Sequence, residues 1–178
     1  LPYVHDLAGL ANTKIKSYLE HEGGAYLGLC AGAYYACEKV VFEEGREGME
    51  IVGERELGFF RGTGKGCAFG GFQYGTEEGA REVRVRLERK VWGEEVWREL
   101  REEEGEEDRV VKVWYNGGGV FEPRIPLREG DESIEVLGRY DELEGKPIAG
   151  VKCKVGKGIA VLWAVHPEHA LLPPSPSS

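Results

Sequence analysis

Short apolar runs separated by glycine-rich turns dominate the hydrophobic pattern of this 178-residue chain. Residues 5–21 carry apolar side chains at helical spacing and stop at Gly23-Gly24, which predicts an amphipathic helix. Residues 25–29 form a short apolar run of the size of a buried strand, and residues 33–39 have the pattern of a second helix. Helix, strand and helix in succession are typical of α/β proteins.

The rest of the chain predicts mainly strands. Alternating or apolar runs predict them at residues 82–87, 110–115, 134–140, 150–155 and 159–165. Two further short strands are possible at residues 51–52 and 57–60, and a short helix is predicted at residues 92–100. The acidic segment 102–108 is predicted to be a solvated loop, and the Pro/Ser-rich segment 171–178 a linker or tail.

The charge, the apolar runs and the cysteine spacing of the chain exclude several classes of function. A formal charge of −9 disfavours non-specific binding to nucleic acid or to an anionic membrane, and no apolar run approaches the ~18 residues of a membrane span. The four cysteines are scattered without a Cys-x-x-Cys pair, so we expect neither a metal site nor a cofactor. A reducing, cytoplasmic location is favoured, with two disulfides as the alternative.

The main candidate for a catalytic motif is Gly28-Leu29-Cys30-Ala31-Gly32, which lies between a predicted strand and a predicted helix. This arrangement matches a nucleophile elbow, a strained turn that lifts a reactive side chain above a sheet. The elbow would place the Cys30 sulfur at a helix N-terminus, where the dipole favours the thiolate and therefore covalent catalysis. The alternative is a small buried thiol at a tight turn.

A second candidate, His166-Pro167-Glu168, directly follows the last predicted strand. In an extended chain, residues i and i+2 point the same way, so Glu168 could orient the imidazole while His166 takes the Cys30 proton. We expect Cys30 Sγ within about 4 Å of a His166 ring nitrogen. The alternative for His166 is a surface histidine. The Asn116-Gly117-Gly118-Gly119 segment predicts either a tight turn or backbone close to a ligand.

Together these motifs resemble the Cys-His-Glu pattern of class I glutamine amidotransferases. The resemblance implies Cys30 as nucleophile, His166 as base and Glu168 as the acid that orients it. More closely, residues 23–32, 34–35, 53–62 and 115–121 resemble the amidotransferase-like N-terminal domain of fungal-type biotin–protein ligases. The oxyanion or substrate-binding positions are then Ala31, Gly32, Asn116, Gly117 and Gly118.

The resemblance implies an α/β fold, with a mostly parallel, flavodoxin-like sheet flanked by helices and a β-rich insertion at about residues 42–87. Residues 1–170 would form the domain and residues 171–178 its tail. The family has opening strands and a Gly-Gly loop before a Leu-Pro-Tyr like residues 1–3, and the only methionine here is Met49. We therefore expect a piece of a longer protein, poorly soluble and weakly active alone.

The function implied is hydrolysis of a carboxamide or related acyl group through a thioester. Ammonia transfer would need a synthase partner, and the biotin-transferring domain of the ligases is absent from the sequence. One alternative is a non-catalytic ligand-binding or regulatory domain associated with a biotin–protein ligase. A DJ-1/PfpI-like protein also carries an elbow cysteine, but His166-Pro167-Glu168 argues against it.

Overall fold

The computed structural model describes residues 2–99, 109–128 and 132–169. These residues contain a ten-stranded mixed sheet with few flanking helices. The helices are α1 (Pro2–Leu7), α2 (Leu10–Glu22), α3 (Ala31–Tyr35) and α4 (Glu94–Glu99), with a 3₁₀ turn at Arg89–Val91. The strands are β1 (Ala25–Leu29), β2 (Cys37–Phe42), β3 (Ile51–Glu54), β4 (Phe60–Gly66), β5 (Arg81–Leu87), β6 (Arg109–Tyr115), β7 (Val120–Pro123), β8 (Ile134–Tyr140), β9 (Ile148–Val155) and β10 (Gly158–Trp163). The predicted α/β class is confirmed.

The strand order is β3-β2-β4-β7-β9-β8-β5-β6, and β10 joins β9 to β1. Two of the described pairs, β1–β10 and β2–β4, are parallel, and the other pairs are antiparallel. The mostly parallel arrangement that we expected is therefore corrected to a mixed one. Short links such as Gly156-Lys157 between β9 and β10 can join only antiparallel strands, because a parallel pair needs a crossover of about a dozen residues or more.

The helix predicted at residues 33–39 is mostly wrong. Helix α3 ends at Tyr35, and the chain continues as strand β2, which pairs with both β3 and β4. Cys37, Val40 and Phe42 are buried in the core, and a register shift between Cys37 and Lys39 interrupts the regular alternation of the strand. A β-branched segment between two neighbouring strands gains more from sheet pairing than from a second helical turn.

The β-rich segment at residues 42–87 contributes its strands to the main sheet. Its strands β3, β4 and β5 belong to the same sheet as the rest of the chain, with β4 beside β7 and β5 between β6 and β8. Residues 51–52 lie in β3 as predicted, whereas only Phe60 of residues 57–60 is in a strand. The predicted helix at residues 5–21 is divided at Gly9, whose φ of 71° interrupts the helical backbone.

Buried hydrogen bonds connect helix α2 to the short helix α3. The Asn12 side chain is 2% exposed, and its amide donates to the Tyr35 hydroxyl at 2.7 Å and to the Glu56 carboxylate at 2.7 Å. The Tyr35 hydroxyl in turn donates to Asn12 Oδ1 at 2.9 Å. Because buried polar groups are costly without partners, this network fixes α3 and the turn before it.

Two predicted segments, the acidic loop at residues 102–108 and the tail at residues 171–178, lie outside the described residues. Among the described helices, none has the length and apolar character needed to span a bilayer. All four cysteines are free thiols.

Candidate functional site

The turn from β1 into α3 has the strained geometry of an elbow, with Cys30 at its apex. Cys30 has φ 46° and ψ −105°, a left-handed backbone that side-chain-bearing residues rarely adopt. Its N–H donates to the Trp163 carbonyl at 2.8 Å, and its carbonyl accepts the N–H groups of Ala33 and Tyr34. The end of β10 therefore holds one side of the turn and the first turn of α3 holds the other.

The two flanking glycines have different roles. A Cβ on Gly28 would lie 2.8 Å from the Gly32 carbonyl oxygen, which is backbone and cannot move aside easily, so the close approach of strand and helix requires glycine. A Cβ on Gly32 would meet only the Tyr26 hydroxyl, at 3.7 Å. That hydroxyl donates to the Gly32 carbonyl at 2.8 Å. Gly28 is therefore the glycine that this elbow depends on sterically.

The Cys30 sulfur lies partly buried beside the end of β6, and its thiol donates to the Asn116 carbonyl at 3.3 Å. The pKa of this thiol is raised to about 11, chiefly by burial. A hydrogen bond from the Ala31 N–H acts to lower it, and the negative charge of Glu168 acts to raise it. The expected thiolate at neutral pH is therefore wrong for the resting site. A five-residue helix offers too little stabilisation of the thiolate to offset the loss of water.

This pKa predicts a characteristic alkylation profile. Because Cys30 is protonated below about pH 11, its reaction with iodoacetamide should accelerate about tenfold per pH unit from pH 7 to 10. An unperturbed cysteine thiol levels off near its pKa of about 8.5. Quantifying the Cys30 peptide by mass spectrometry gives the rate, and circular dichroism at each pH checks that the fold persists. A rate that levels off below pH 8 would contradict the burial argument.

His166 and Glu168 lie together just beyond β10, as their spacing predicted. His166 Nδ1 is 2.7 Å from Glu168 Oε1, and the His166 N–H donates to the Trp114 carbonyl at 2.8 Å. Partial burial acts to raise the pKa of Glu168, but the hydrogen bond and charge of His166 outweigh it and hold that pKa below its ordinary value. The carboxylate thus engages Nδ1 and leaves Nε2 as the ring nitrogen for another partner.

The end of β6 brings the elbow and the histidine into one neighbourhood. The Trp114 carbonyl holds the backbone of His166, and the Asn116 carbonyl holds the Cys30 thiol. These two carbonyls are two residues apart, which spans at most about 7 Å. The Cys30 sulfur is hydrogen-bonded to the Asn116 carbonyl, and His166 Nδ1 is bonded to Glu168. The sulfur and the imidazole form no hydrogen bond with each other. The complete triad therefore stays a prediction.

The glycine segment after β6 makes the tight turn that was one of its two predicted structures. Gly117 has φ 75°, which makes the turn, and its carbonyl accepts from the Tyr34 hydroxyl at 3.3 Å and the Cys67 thiol at 3.6 Å. The Gly118 carbonyl accepts from the Ala68 N–H and the Tyr115 hydroxyl, both at 2.8 Å. Gly117 also borders a cavity, so this backbone makes a turn and lies beside a space that a ligand could fill.

That cavity opens beside the elbow, and its empty space of about 550 Å³ includes the part that is open to solvent. Residues from α3, β2, β3 and the segment after β4 enclose it. They are Cys30, Ala31, Tyr34, Tyr35, Val40, Phe42, Ile51, Arg55, Phe72, Tyr74, Asn116 and Gly117. Of the predicted site residues, the cavity thus collects Cys30, Ala31, Asn116 and Gly117. In the part of the chain that the structure describes, no group of three or more His, Cys, Asp and Glu side chains is placed to bind a metal.

The sequence analysis missed the far wall of this cavity. Arg55, Phe72 and Tyr74 come from the segment that was predicted to be a β-rich insertion, and none of them was among the predicted site residues. Phe72 and Tyr74 lie in a glycine-rich stretch without a periodic pattern, so the sequence alone carries no signal for them. Arg55 lies in the Gly-Glu-Arg-Glu-Leu segment, and its position next to a strand end was the one available indication.

These observations define an α/β protein with a cysteine at a strained elbow, a neighbouring His–Glu pair and a cavity beside the sulfur. Residues 1–177 match the family model described as "Biotin-protein ligase, N terminal". The chain therefore belongs to the biotin–protein ligase N-terminal family.

Two individual relatives and one solved structure are similar to the chain. The chain is 35% identical over 158 residues to a biotin–protein ligase of Schizosaccharomyces pombe, an alignment that covers 87% of the chain and 22% of that protein. It is 33% identical over 172 residues to an uncharacterized protein of Chlamydia muridarum, with 95% and 57% covered. The chain thus spans about a fifth of the length of the Schizosaccharomyces pombe protein and somewhat over half of the length of the Chlamydia muridarum protein. A crystal structure of a glutamine amidotransferase aligns over 89% of the chain and 60% of its own, with a TM-score of 0.48 and 20% identity.

Proposed function

We propose that this chain is a cysteine-dependent amidase or glutamine amidotransferase-like domain that cleaves a carboxamide through a thioester on Cys30. The observation that carries the proposal is the position of the Cys30 sulfur, which lies at the apex of a strained turn and borders the cavity beside the elbow. A strained nucleophile facing a ligand-sized cavity is the usual arrangement for acyl transfer. The His166–Glu168 pair at the adjacent strand end supplies a base and the acid that orients it.

In the proposed acylation step, His166 accepts the thiol proton at Nε2 as the Cys30 sulfur attacks the amide carbon and a C–S bond forms. Glu168 stabilises the resulting imidazolium through Nδ1. The tetrahedral intermediate collapses when the C–N bond breaks, and the leaving nitrogen takes the proton from His166 and departs as ammonia. Because the resting thiol has a pKa of about 11, substrate binding must displace it from the Asn116 carbonyl and bring it to His166.

In the second step, water attacks the thioester. His166 takes a proton from the water, the C–S bond breaks, and the proton returns to the sulfur as the carboxylic acid leaves. The negative charge on the carbonyl oxygen in both steps needs donors, and the Ala31 N–H, which already contacts the sulfur, is the first candidate. Gly32, Asn116, Gly117 and Gly118 are the other positions proposed to contact the oxyanion or the substrate. The net reaction is amide plus water to acid plus ammonia.

The family supports a ligase context for this activity. The Schizosaccharomyces pombe relative is a biotin–protein ligase, so we propose that the domain acts beside a ligase or a synthase that uses its product. The second candidate is a non-catalytic ligand-binding domain that regulates such a ligase. The raised pKa of Cys30 and its hydrogen bond to Asn116 favour that candidate, because both hold the thiol in its unreactive form.

An acyl-trapping experiment tests the proposal. We expect p-nitrophenyl butyrate to release a burst of p-nitrophenolate stoichiometric with protein, and to add one butyryl group to the peptide that contains Cys30. Hydroxylamine should remove that group, as it does with thioesters. The matched control is Cys67→Ala, because the Cys67 thiol also donates to this turn, through the Gly117 carbonyl at 3.6 Å. Equal acylation of Cys67, or no burst from folded protein, would favour the binding domain.

A further inference from the structure

The cavity beside Cys30 combines an aromatic wall with a single cation. Tyr34, Phe42, Phe72 and Tyr74 form the wall and pack edge to face, with ring centroids 5.6 Å apart for Tyr34–Phe42, 5.6 Å for Phe42–Phe72 and 5.1 Å for Phe72–Tyr74. Such a surface favours the apolar body of a ligand, since burying it there releases water from both sides.

The cation is Arg55, which follows strand β3. One guanidinium nitrogen, Nη1, donates to the Glu54 carbonyl at 2.8 Å. Among the residues that the structure describes, no carboxylate lies within ion-pair distance of Arg55. Arg46, at the far side of Phe72, is by contrast paired with Glu43 at 2.6 Å. Arg55 thus keeps N–H donors that match a carboxylate.

Asn116, which lines the cavity beside Cys30, has a side-chain atom without a partner in the described part of the chain. The Asn116 side-chain oxygen, Oδ1, is buried and accepts no hydrogen bond from the described residues. A buried acceptor without a donor costs free energy, which a ligand N–H can recover. The N–H₂ of a primary amide, placed with its carbonyl carbon at the Cys30 sulfur, supplies such a donor.

Among the described residues that line the cavity, none is Asp or Glu. The α-ammonium group of free glutamine would therefore lose its hydration without meeting a counter-charge. Glu168 does not compensate, because it does not line the cavity and its carboxylate is bonded to His166. The charge balance of the lining therefore favours a ligand that carries a carboxylate and no ammonium group.

From these features we infer that the site takes an anionic amide: a primary carboxamide with an apolar acyl chain that ends in a carboxylate. The carboxylate binds Arg55, the chain packs on the aromatic wall, and the amide lies between Cys30 and Asn116. The orientation of the amide toward Cys30 rests on the proposed function, whereas the recognition of the carboxylate by Arg55 does not.

Calorimetric binding to the Cys30→Ala protein tests this inference without requiring turnover. The probes are monoamides of linear dicarboxylic acids from glutaramate to suberamate, each paired with the neutral alkyl amide of the same chain length, together with glutamine. We expect the best acid amide to bind about 10- to 100-fold more tightly than its neutral partner and than glutamine. Arg55→Gln should remove that preference, and Arg55→Lys should restore part of it.

The matched control is Arg89→Gln, which changes an exposed arginine outside the cavity and should leave the preference intact. Equal affinity for acid and neutral amides, tighter binding of glutamine, or no binding of any acid amide would each overturn the inference. If the acid amide binds Cys30→Ala and depends on Arg55, yet the unaltered protein releases no ammonia from it, the inference stands and the proposed amidase activity fails.

Discussion

Replacing Cys30 with alanine should lower ammonia release from a cleavable amide by at least about 10⁴-fold, because the proposed thioester forms on the Cys30 sulfur. Alanine retains the Cβ of the turn and adds no bulk, so the strained backbone at φ 46° should survive. His166→Ala should cause a loss of similar size. The double variant should be no worse than either single one, since nucleophile and base act in one step. The measurement is ammonia release under substrate saturation.

The control for this experiment is again Cys67→Ala. The Cys67 thiol donates to the carbonyl next to the one that Cys30 contacts, and burial raises its pKa as well. If activity depended only on a buried thiol beside this turn, both variants would fail alike. A Cys30→Ala protein that keeps more than a tenth of the activity would show that the sulfur does not attack the substrate.

Gly118→Ala should destabilise the fold by about 3 kcal/mol or more, which is among the larger costs of adding one methyl group. A Cβ at this position would overlap the Ala164 carbonyl oxygen. That segment has little freedom to retreat, because the Ala164 N–H is bonded to the Ala149 carbonyl at 2.9 Å in the centre of the sheet. Urea unfolding followed by circular dichroism measures the change in the free energy of unfolding.

Gly70→Ala provides the matched comparison for Gly118→Ala. A Cβ at Gly70 would meet nothing within 4 Å and its backbone is not left-handed, so we expect a change within about 0.5 kcal/mol. If Gly118→Ala behaved the same way, the chain between β6 and β7 would be able to move away from β10. The tight contact between them would then not determine where Asn116 and Gly117 lie.

Short-range sequence patterns predicted those features of the protein that depend on residues close together in the chain. Strand β8 has the predicted bounds, and the elbow and the His166–Glu168 contact follow from spacings of a few residues. Strand β2 was missed because Ala33 to Lys39 can satisfy a helical pattern equally well, and only its neighbours β3 and β4 decide between the two.

The properties that depend on tertiary packing could not be predicted in this way. The thiol pKa was expected to fall because a helix begins after Cys30, but burial by distant segments raises it. The wall of the cavity likewise depends on Phe72 and Tyr74, which approach the elbow only when the sheet is complete. Sequence spacing therefore predicts the candidate residues, while their electrostatics and the proposed ligand class depend on contacts between remote parts of the chain.

The pairing of β1 with β10 makes the elbow dependent on the other end of the described chain. Ala25 is in register with Ile159 and Leu29 with Trp163, and the Cys30 N–H is bonded to Trp163. Strand β10 is itself held by its antiparallel pairing with β9. Local opening of this hairpin would remove the partner of β1 and release the backbone of Cys30 without any change in the residues around the sulfur. The competence of the elbow is thus tied to the stability of a hairpin that contributes no side chain to the cavity.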